Sequence, residues 1–561
     1  MIYVENKRQR LPTRTLTSLL VLFAISQANA SGLASDLNQS SQTNEPQLEH
    51  IEQSDLNTLV NNDPAAAFIT AFEVGDELFE APANELDGAG ANVGKGQRFA
   101  KFPRMDLDGY GEWANHTPAR VTGPNSQACI ECHFQAVSDG SGPISGNNVR
   151  DPKRTGMIGD FITRQPPHIF GIGAKQKLAE EMTAELLAIK AAAIAQATSY
   201  NTMVTKDLIA KYISFGKIKV DSYGNVDTSM VEGVDEDLIV KPLQWKGVEL
   251  SIRSFVRGAE NNEIGLQATE LVGNYDGDYD GIINEITVGD ITALAIYQAG
   301  QPRPVTKTEL ADLGLMELSY QEKADILKGK DLFNQVQCAS CHVPTLYLDD
   351  SIFSEPSQSA THRDAIFPSG DSPASHGLTP ANAITFDLAA DMPDNIITLP
   401  NGNVVHLGNF KKDNYGRTSV DIYSDLKRHD LGYEIAESVD EEGTGASVFI
   451  TQPLWGAGST APYMHDGRSP TITDAVMNHG GDAATSRSLF KQLSPTYKQA
   501  LVAYVENHIL LLAEEDEEEA APEVPIYSEP VAPAEPEAPT YSEPVAPTAP
   551  EAPSRFQRTR R

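Results

Sequence analysis

Cys129-Ile-Glu-Cys132-His133 and Cys338-Ala-Ser-Cys341-His342 hold all four cysteines of the chain. C-x-x-C-H is the attachment signal of a c-type haem. Two thiols three residues apart reach the two vinyl groups of one porphyrin, and the histidine that follows rises beneath the iron. A zinc site would need more ligands to complete its tetrahedron, and neither motif supplies them. A redox dithiol needs no histidine and normally occurs singly. Two such motifs predict two covalently bound c-type haems at Cys129/Cys132 and Cys338/Cys341, with His133 and His342 as proximal ligands.

Outward from the second motif, Gly329-Lys-Asp-Leu332-Phe333 reads as a short helix with Leu332 and Phe333 towards the core. The first motif follows Thr122-Gly-Pro-Asn125, a loop-like approach. Leu178, Met182, Leu186 and Ile189 recur at three and four, which predicts a long helix over 175–197. Residues 216–231 alternate and read as a hairpin. The expected class is mainly α, with two cytochrome c-like domains, irregular insertions and a small β hairpin, followed by a disordered tail. The expected bounds are 66–310 for the first haem domain and 311–512 for the second.

The ends read as non-globular. Lys7, Arg8, Arg10 and Arg14 precede an apolar run over 16–25 and then Ala28-Asn-Ala30, which is the pattern of a signal peptide over 1–30. The run is short for a membrane anchor. Export follows, to the periplasm in a bacterium, and c-type haem is attached outside the cytoplasm. A flexible segment is expected at 31–65. Six carboxylates at 514–519 open a Pro-rich tail over 513–561, in which Tyr-Ser-Glu-Pro-Val-Ala-Pro occurs at 527 and 541. Such a chain is extended and coreless, a tether or a solubilising segment.

Composition narrows the function classes. The 561 residues carry 43 Lys and Arg against 78 Asp and Glu, a net charge of −35. So acidic a surface repels nucleic acid and anionic lipid. Four cysteines cannot frame a disulfide-dense fold at this length. One further motif stands out. Asp276-Gly-Asp278-Tyr-Asp280-Gly281-Ile282-Ile-Asn-Glu285 alternates carboxylates as a calcium loop does, with Gly281 for the turn and the Ile282 carbonyl available. It is shorter than an EF-hand: Glu285 comes two residues early, and Thr287 takes the twelfth position. A structural calcium site is expected over a plain acidic turn.

Leu454-Trp455-Gly456-Ala-Gly-Ser-Thr460-Ala-Pro462-Tyr463-Met-His465-Asp466-Gly-Arg468 is long and specific. With the two C-x-x-C-H motifs it resembles the bacterial di-haem oxidoreductase (putative peroxidase, thiol oxidoreductase-like) family, which is related to the di-haem cytochrome c peroxidases. Arg164-Gln-Pro-Pro-His168-Ile-Phe-Gly171, Gln244-Trp-Lys-Gly247 and Ser424-Asp-Leu-Lys-Arg-His429-Asp430 extend the resemblance to roughly 72–511.

The resemblance implies an exported oxidoreductase in which one haem is the reaction centre for hydrogen peroxide and the other transfers electrons from a small redox protein. The alternatives are a non-enzymatic electron carrier, or oxidation of a protein or organic substrate by high-valent iron. It also implies a calcium between the haems, held by the carbonyls of Thr460 and Pro462. Counting from Pro462 makes His479 the distal ligand of the second haem, with Met477 as the fallback and a helix cap as the competing role for His479. At the first haem, His168, Gln176, Glu180 and Glu181 are the distal candidates. A ligating His168 would close the iron, and a non-ligating one would suit proton transfer. His429 and His465 fall between the domains. Trp113, Trp245 and Trp455 are core residues or stand between the haems.

Overall fold

Two pairs of helices pack at matching glycines. Pro64–Glu80 lies against Val288–Ala299, and Tyr320–Gln335 lies against Pro495–Val505. A Cβ on Gly75 would meet the Ala293 carbonyl and stand 2.6 Å from Tyr297 Cβ. A Cβ on Gly329 would meet the Ala500 carbonyl and stand 2.6 Å from Tyr504 Cβ. Only hydrogen fits there, so the backbones can touch. One turn after each glycine comes a phenylalanine that meets the tyrosine of the facing helix. Phe79 and Tyr297 have ring centres 5.3 Å apart, and Phe333 and Tyr504 have theirs 5.5 Å apart. Leu332 and Phe333 are buried, as their spacing predicts.

The computed structural model describes residues 45–90, 99–103, 117–118, 120–364, 366–399 and 401–513, all within one compact unit. The signal-like segment, the Pro-rich tail and Trp113 lie outside the described residues. Among the described residues no helix is long and apolar enough to cross a membrane.

The expectation of a mainly α chain is corrected. Helix accounts for 36% of the structure and strand for 15%, and the strands form several small antiparallel sheets. The expected hairpin is a three-stranded meander of Val204–Ala210, Ile213–Val220 and Val226–Val231. Leu346–Leu348, Ile352–Glu355, Ile384–Asp387 and Thr418–Val420 are strands of two to four residues' pairing, well separated in sequence. Strands that short hold too few residues to display an alternation, and it is their partners that make them strands.

The long helix is Ile172–Ser199, with Leu178, Met182 and Leu186 fully buried. The Gln53–Asn62 helix falls within 31–65, where a flexible segment was expected; Gln53 and Leu56 are buried and pack that stretch down. The main apolar core draws on both sides of residue 311, from Leu48 through Ala293 to Phe386 and Trp455. A second core gathers Leu332, Phe333, Phe490, Leu501 and Tyr504 beside Cys338.

Candidate functional site

Both cysteine motifs turn the same way. Cys129–Glu131 and Cys338–Ser340 are single 3-10 turns, and each following histidine amide bonds back to the carbonyl of the first cysteine, at 3.2 Å for His133 and 3.0 Å for His342. That turn puts both sulfurs and the imidazole on one side. None of the four cysteines forms a disulfide. Burial pushes the Cys129 thiol well above its ordinary range and the Cys338 thiol up to about 12.

Hydrogen bonds fix which nitrogen of each histidine is free. A carbonyl only accepts, so the nitrogen it meets carries the proton. His133 Nδ1 meets the Gly140 carbonyl at 3.3 Å, and His342 Nδ1 meets the Tyr423 carbonyl at 3.0 Å. Each ring keeps its lone pair on Nε2. Burial lowers both pKa values to about 4, so both rings are neutral at physiological pH. Neutral imidazole is the form that binds metal.

One cavity is lined by both motifs, and His168, Trp455, Thr460 and His479 also face it. His479 ends the Ile472–Asn478 helix, with Nδ1 2.7 Å from the Ala475 carbonyl and Nε2 free. Its ring centre is 6.4 Å from that of His342. Burial lowers its pKa as well. Met477 packs against the second apolar core.

The wall opposite the first motif is different. His168 Nε2 meets the Trp455 carbonyl at 3.0 Å, so Nε2 carries the proton and Nδ1, buried and without a hydrogen-bond partner, holds the lone pair. Burial lowers the His168 pKa to about 4. The other sequence candidates are engaged away from this wall. Gln176 bonds Glu180 at 3.0 Å and accepts the Ile252 amide at 2.8 Å. Glu180 also accepts the Ser357 hydroxyl at 2.7 Å. Glu181 accepts the Asp349 and Asp350 amides and pairs with Lys211 at 2.6 Å. These three brace the Ile172–Ser199 helix against its neighbours.

Lys175, one turn into that helix, was not singled out in the sequence and does line the cavity. Its Nζ bonds Gln452 Oε1 at 3.2 Å, and burial lowers its pKa to about 7. The available signal was its spacing: three residues before Leu178, it continues the Leu178-Met182-Leu186 stripe and sets a lysine on the buried face of the helix.

Thr460 and Pro462 line the cavity between the motifs, and Gln135 Nε2 donates to the intervening Ala461 carbonyl. His465 stacks on Phe449 with ring centres 4.4 Å apart, and its Nδ1 is buried without a hydrogen-bond partner. Trp245 donates to the Gln165 carbonyl at 2.8 Å, and Trp455 packs against Phe410. His429 Nε2 lies 2.9 Å from Asp425. Cys341, Asp425 and His429 are close enough to share an ion, but His429 Nε2 is already taken by Asp425 and Cys341 belongs to the haem-type motif. Asp276, Asp278 and Asp280 converge in a loop outside the cavity lining.

Residues 400–508 match the family model described as "Di-haem oxidoreductase, putative peroxidase". The matched stretch contains His429, Thr460, Pro462, His465 and His479. The chain is therefore similar to the di-haem oxidoreductases, and the resemblance read from the sequence stands over that stretch. A solved structure described as a MauG-like protein associated with microbial copper homeostasis is 16% identical; the match covers 52% of this chain and 78% of that one, with a TM-score of 0.25. No curated protein matches the chain.

Proposed function

We propose that this chain is an exported di-haem c-type oxidoreductase of peroxidase type, with the first haem at Cys129/Cys132 as the reaction centre and the second at Cys338/Cys341 as the electron-transfer haem. The observation that carries the reading is the single cavity lined by two C-x-x-C-H motifs whose histidines are neutral and free at Nε2. Haem iron supplies the electron transfer and the activation of peroxide.

The residues at the second site fit a haem iron that His342 and His479 would hold between them. A metal–nitrogen bond is about 2.0 Å and a ring nitrogen sits about 1.1 Å from its ring centre, so two imidazoles sharing one metal would have centres about 6.2 Å apart. His342 and His479 are at 6.4 Å. Both project Nε2 lone pairs, because both Nδ1 protons are held by carbonyls. His479 is then a ligand. Its bond to Ala475 also orients the ring, as hydrogen bonds to metal-binding histidines do.

At the first site His133 would hold a haem iron through Nε2, and His168 and Lys175 line the same cavity as candidate proton-transfer groups. His168 is neutral above pH 5 and offers a basic Nδ1, fixed by the Trp455 carbonyl. With haem in place, that nitrogen would accept a proton from hydrogen peroxide. Lys175, with a pKa of about 7, returns one to the departing oxygen. One hydrogen peroxide, two electrons and two protons give two waters. The electrons come from a small redox protein suited to an acidic surface, the net charge being −35. Thr460 and Pro462 hold the inter-haem calcium that the family resemblance implies, and Trp455 and Trp245 are the aromatic groups of the cavity wall.

The unpartnered Nδ1 of His168 favours one other reading. If that nitrogen binds the first iron, both haems are six-coordinate and the protein is an electron carrier. Ferric EPR of protein from a maturation-competent host, with peroxide-dependent oxidation of a reduced donor, tests the proposal. A high-spin signal from one haem together with turnover supports the enzyme. Two low-spin haems in both oxidation states, without turnover, overturn it.

A further inference from the structure

The acidic loop over 276–285 lies apart from the cavity, and its carboxylates converge. Ligand oxygens of Asp276, Asp278 and Asp280 all lie within 4.8 Å of one another. Convergence of acids alone is common on protein surfaces, but this loop is sunk. Asp278 is 0% exposed, and neither of its oxygens has a hydrogen-bond partner. Glu285 is 2% exposed, its Oε1 has none either, and its other oxygen accepts the Gln267 amide at 2.7 Å. Burial raises both carboxyls above their ordinary range, with Asp280 and Asp276 adding to the rise at Asp278 and Asp278 adding to the rise at Glu285. The cation that Asp278 meets is Arg120, at 3.6 Å, which is beyond hydrogen-bond length.

The loop is braced from outside. Gln267 Oε1 accepts the Gly277 amide at 2.9 Å. Tyr279, Gly281 and Asn284 have φ of 65°, 99° and 57°, which turn the chain sharply around the carboxylates. Burying such oxygens unsatisfied is costly, and a hard cation that prefers oxygen satisfies them together.

Arg120 links this loop to the first cavity. Its guanidinium, fully buried, donates to the Gly265 carbonyl at 2.7 Å and to Asn261 Oδ1 at 3.4 Å. Asn261 belongs to the π-helical turn Glu260–Ile264, and Gly265 caps it. Glu263 and Ile264 of that turn line the cavity, Glu260 meets Cys129 Sγ at 3.8 Å, and the Glu263 carbonyl accepts the Asn125 amide at 2.8 Å on the approach to Cys129.

We infer that Asp276, Asp278, Asp280 and Glu285 bind one calcium ion, and that Arg120 couples its occupancy to the turn that walls the first cavity. When calcium is bound, Asp278 is oriented and held by the ion, Arg120 is held against it, and the Glu260–Ile264 turn is stiffened. The class of ligand is a hard divalent cation, and the site is distinct from the one at Thr460 and Pro462.

The test uses full-length, haem-loaded protein stripped with a chelator and then dialysed against calcium. Bound calcium is counted by elemental mass spectrometry, and amide exchange is followed over 260–266. Wild type is expected to bind one more calcium than Asp278→Asn, with affinity at the loop lowered on the order of tenfold or more in the variant. Calcium is expected to slow exchange over 260–266 in wild type and not in the variant. Asp276→Asn, at a half-buried position, gives the same readings should Asp278→Asn fold poorly. Equal calcium counts in wild type and both variants overturn the site. A lost calcium with exchange unchanged over 260–266 overturns the coupling. Neither reading depends on haem chemistry, and a pyridine haemochrome assay of the same sample tests the di-haem proposal separately.

Discussion

Around Cys338 two neutral imidazoles, His342 and His479, stand 6.4 Å apart across one space. Around Cys129 the proximal ring has the same tautomer, but the histidine on the far wall is tied through Nε2 to the Trp455 carbonyl and is accompanied by a buried lysine. Behind both motifs lies the same frame, Gly75 and Phe79 against Ala293 and Tyr297, and Gly329 and Phe333 against Ala500 and Tyr504. Equivalent helix pairs thus stand behind two differently furnished stretches of one cavity wall. The frame holds the proximal turn, and function is set by what the intervening segments bring to the other face.

Removing the sulfurs should give the largest effect. Cys129→Ala with Cys132→Ala, and Cys338→Ala with Cys341→Ala, should each lower the mass by one haem and abolish peroxide turnover, as read by denaturing mass spectrometry and haemochrome absorbance. A pair that leaves turnover intact would remove its haem from the reaction.

The distal histidines sharpen the contrast. His168→Ala should cut turnover on the order of a hundredfold, the scale of a lost acid–base group, while the low-spin signal of the second haem persists. His479→Ala should convert that low-spin signal to high-spin. The opposite pattern in EPR would exchange the roles of the two regions.

The shared frame predicts matched losses. Gly75→Ala and Gly329→Ala each drive a methyl into a facing helix and should each cost about 1–3 kcal/mol, read as a fall in melting temperature. A loss at only one glycine would break the equivalence of the pairs.

Two smaller effects depend on pH. With Lys175 acting as an acid, its protonated form is the active one, so turnover should fall as pH rises through about 7, and Lys175→Met should remove that limb. In calcium-free protein, burial holds Asp278 at about 7 against an ordinary 3.8, with Arg120 lowering it and Asp280 and Asp276 raising it. The folded state then binds more protons than the unfolded state between those values, and stability should fall as pH rises from about 4 to 7. Calcium should flatten that slope in denaturant titrations.

Much of the proximal chemistry was legible in the sequence because it is local. A C-x-x-C-H turn closes within five residues, the Leu178-Met182-Leu186 stripe repeats within one helix, and the aspartates at 276, 278 and 280 are neighbours. Ala-x-x-x-Tyr occurs twice, at 293–297 and 500–504, and Gly-x-x-x-Phe three times, at 75–79, 329–333 and 445–449, but which of them pair joins residues over 150 positions apart. The distal wall was not open to reading in the same way. Gln176 and Glu181 have suitable side chains and were taken up by Ile252, Asp349 and Lys211, partners that helical spacing does not disclose. The small sheets escaped for a related reason, since strands of three or four residues owe their form to segments elsewhere in the chain.

By itself the sequence determined the local frame: how four cysteines and the two histidines that follow them are spaced, and which loop gathers carboxylates. Only the tertiary structure decided which nitrogen of each histidine is free, that His479 faces His342, that Lys175 is buried and that Arg120 joins the acidic loop to the first cavity. The physical reason is range. Bond geometry and helical periodicity act over a few residues, whereas burial and hydrogen-bond pairing depend on which distant segments the folded chain brings together.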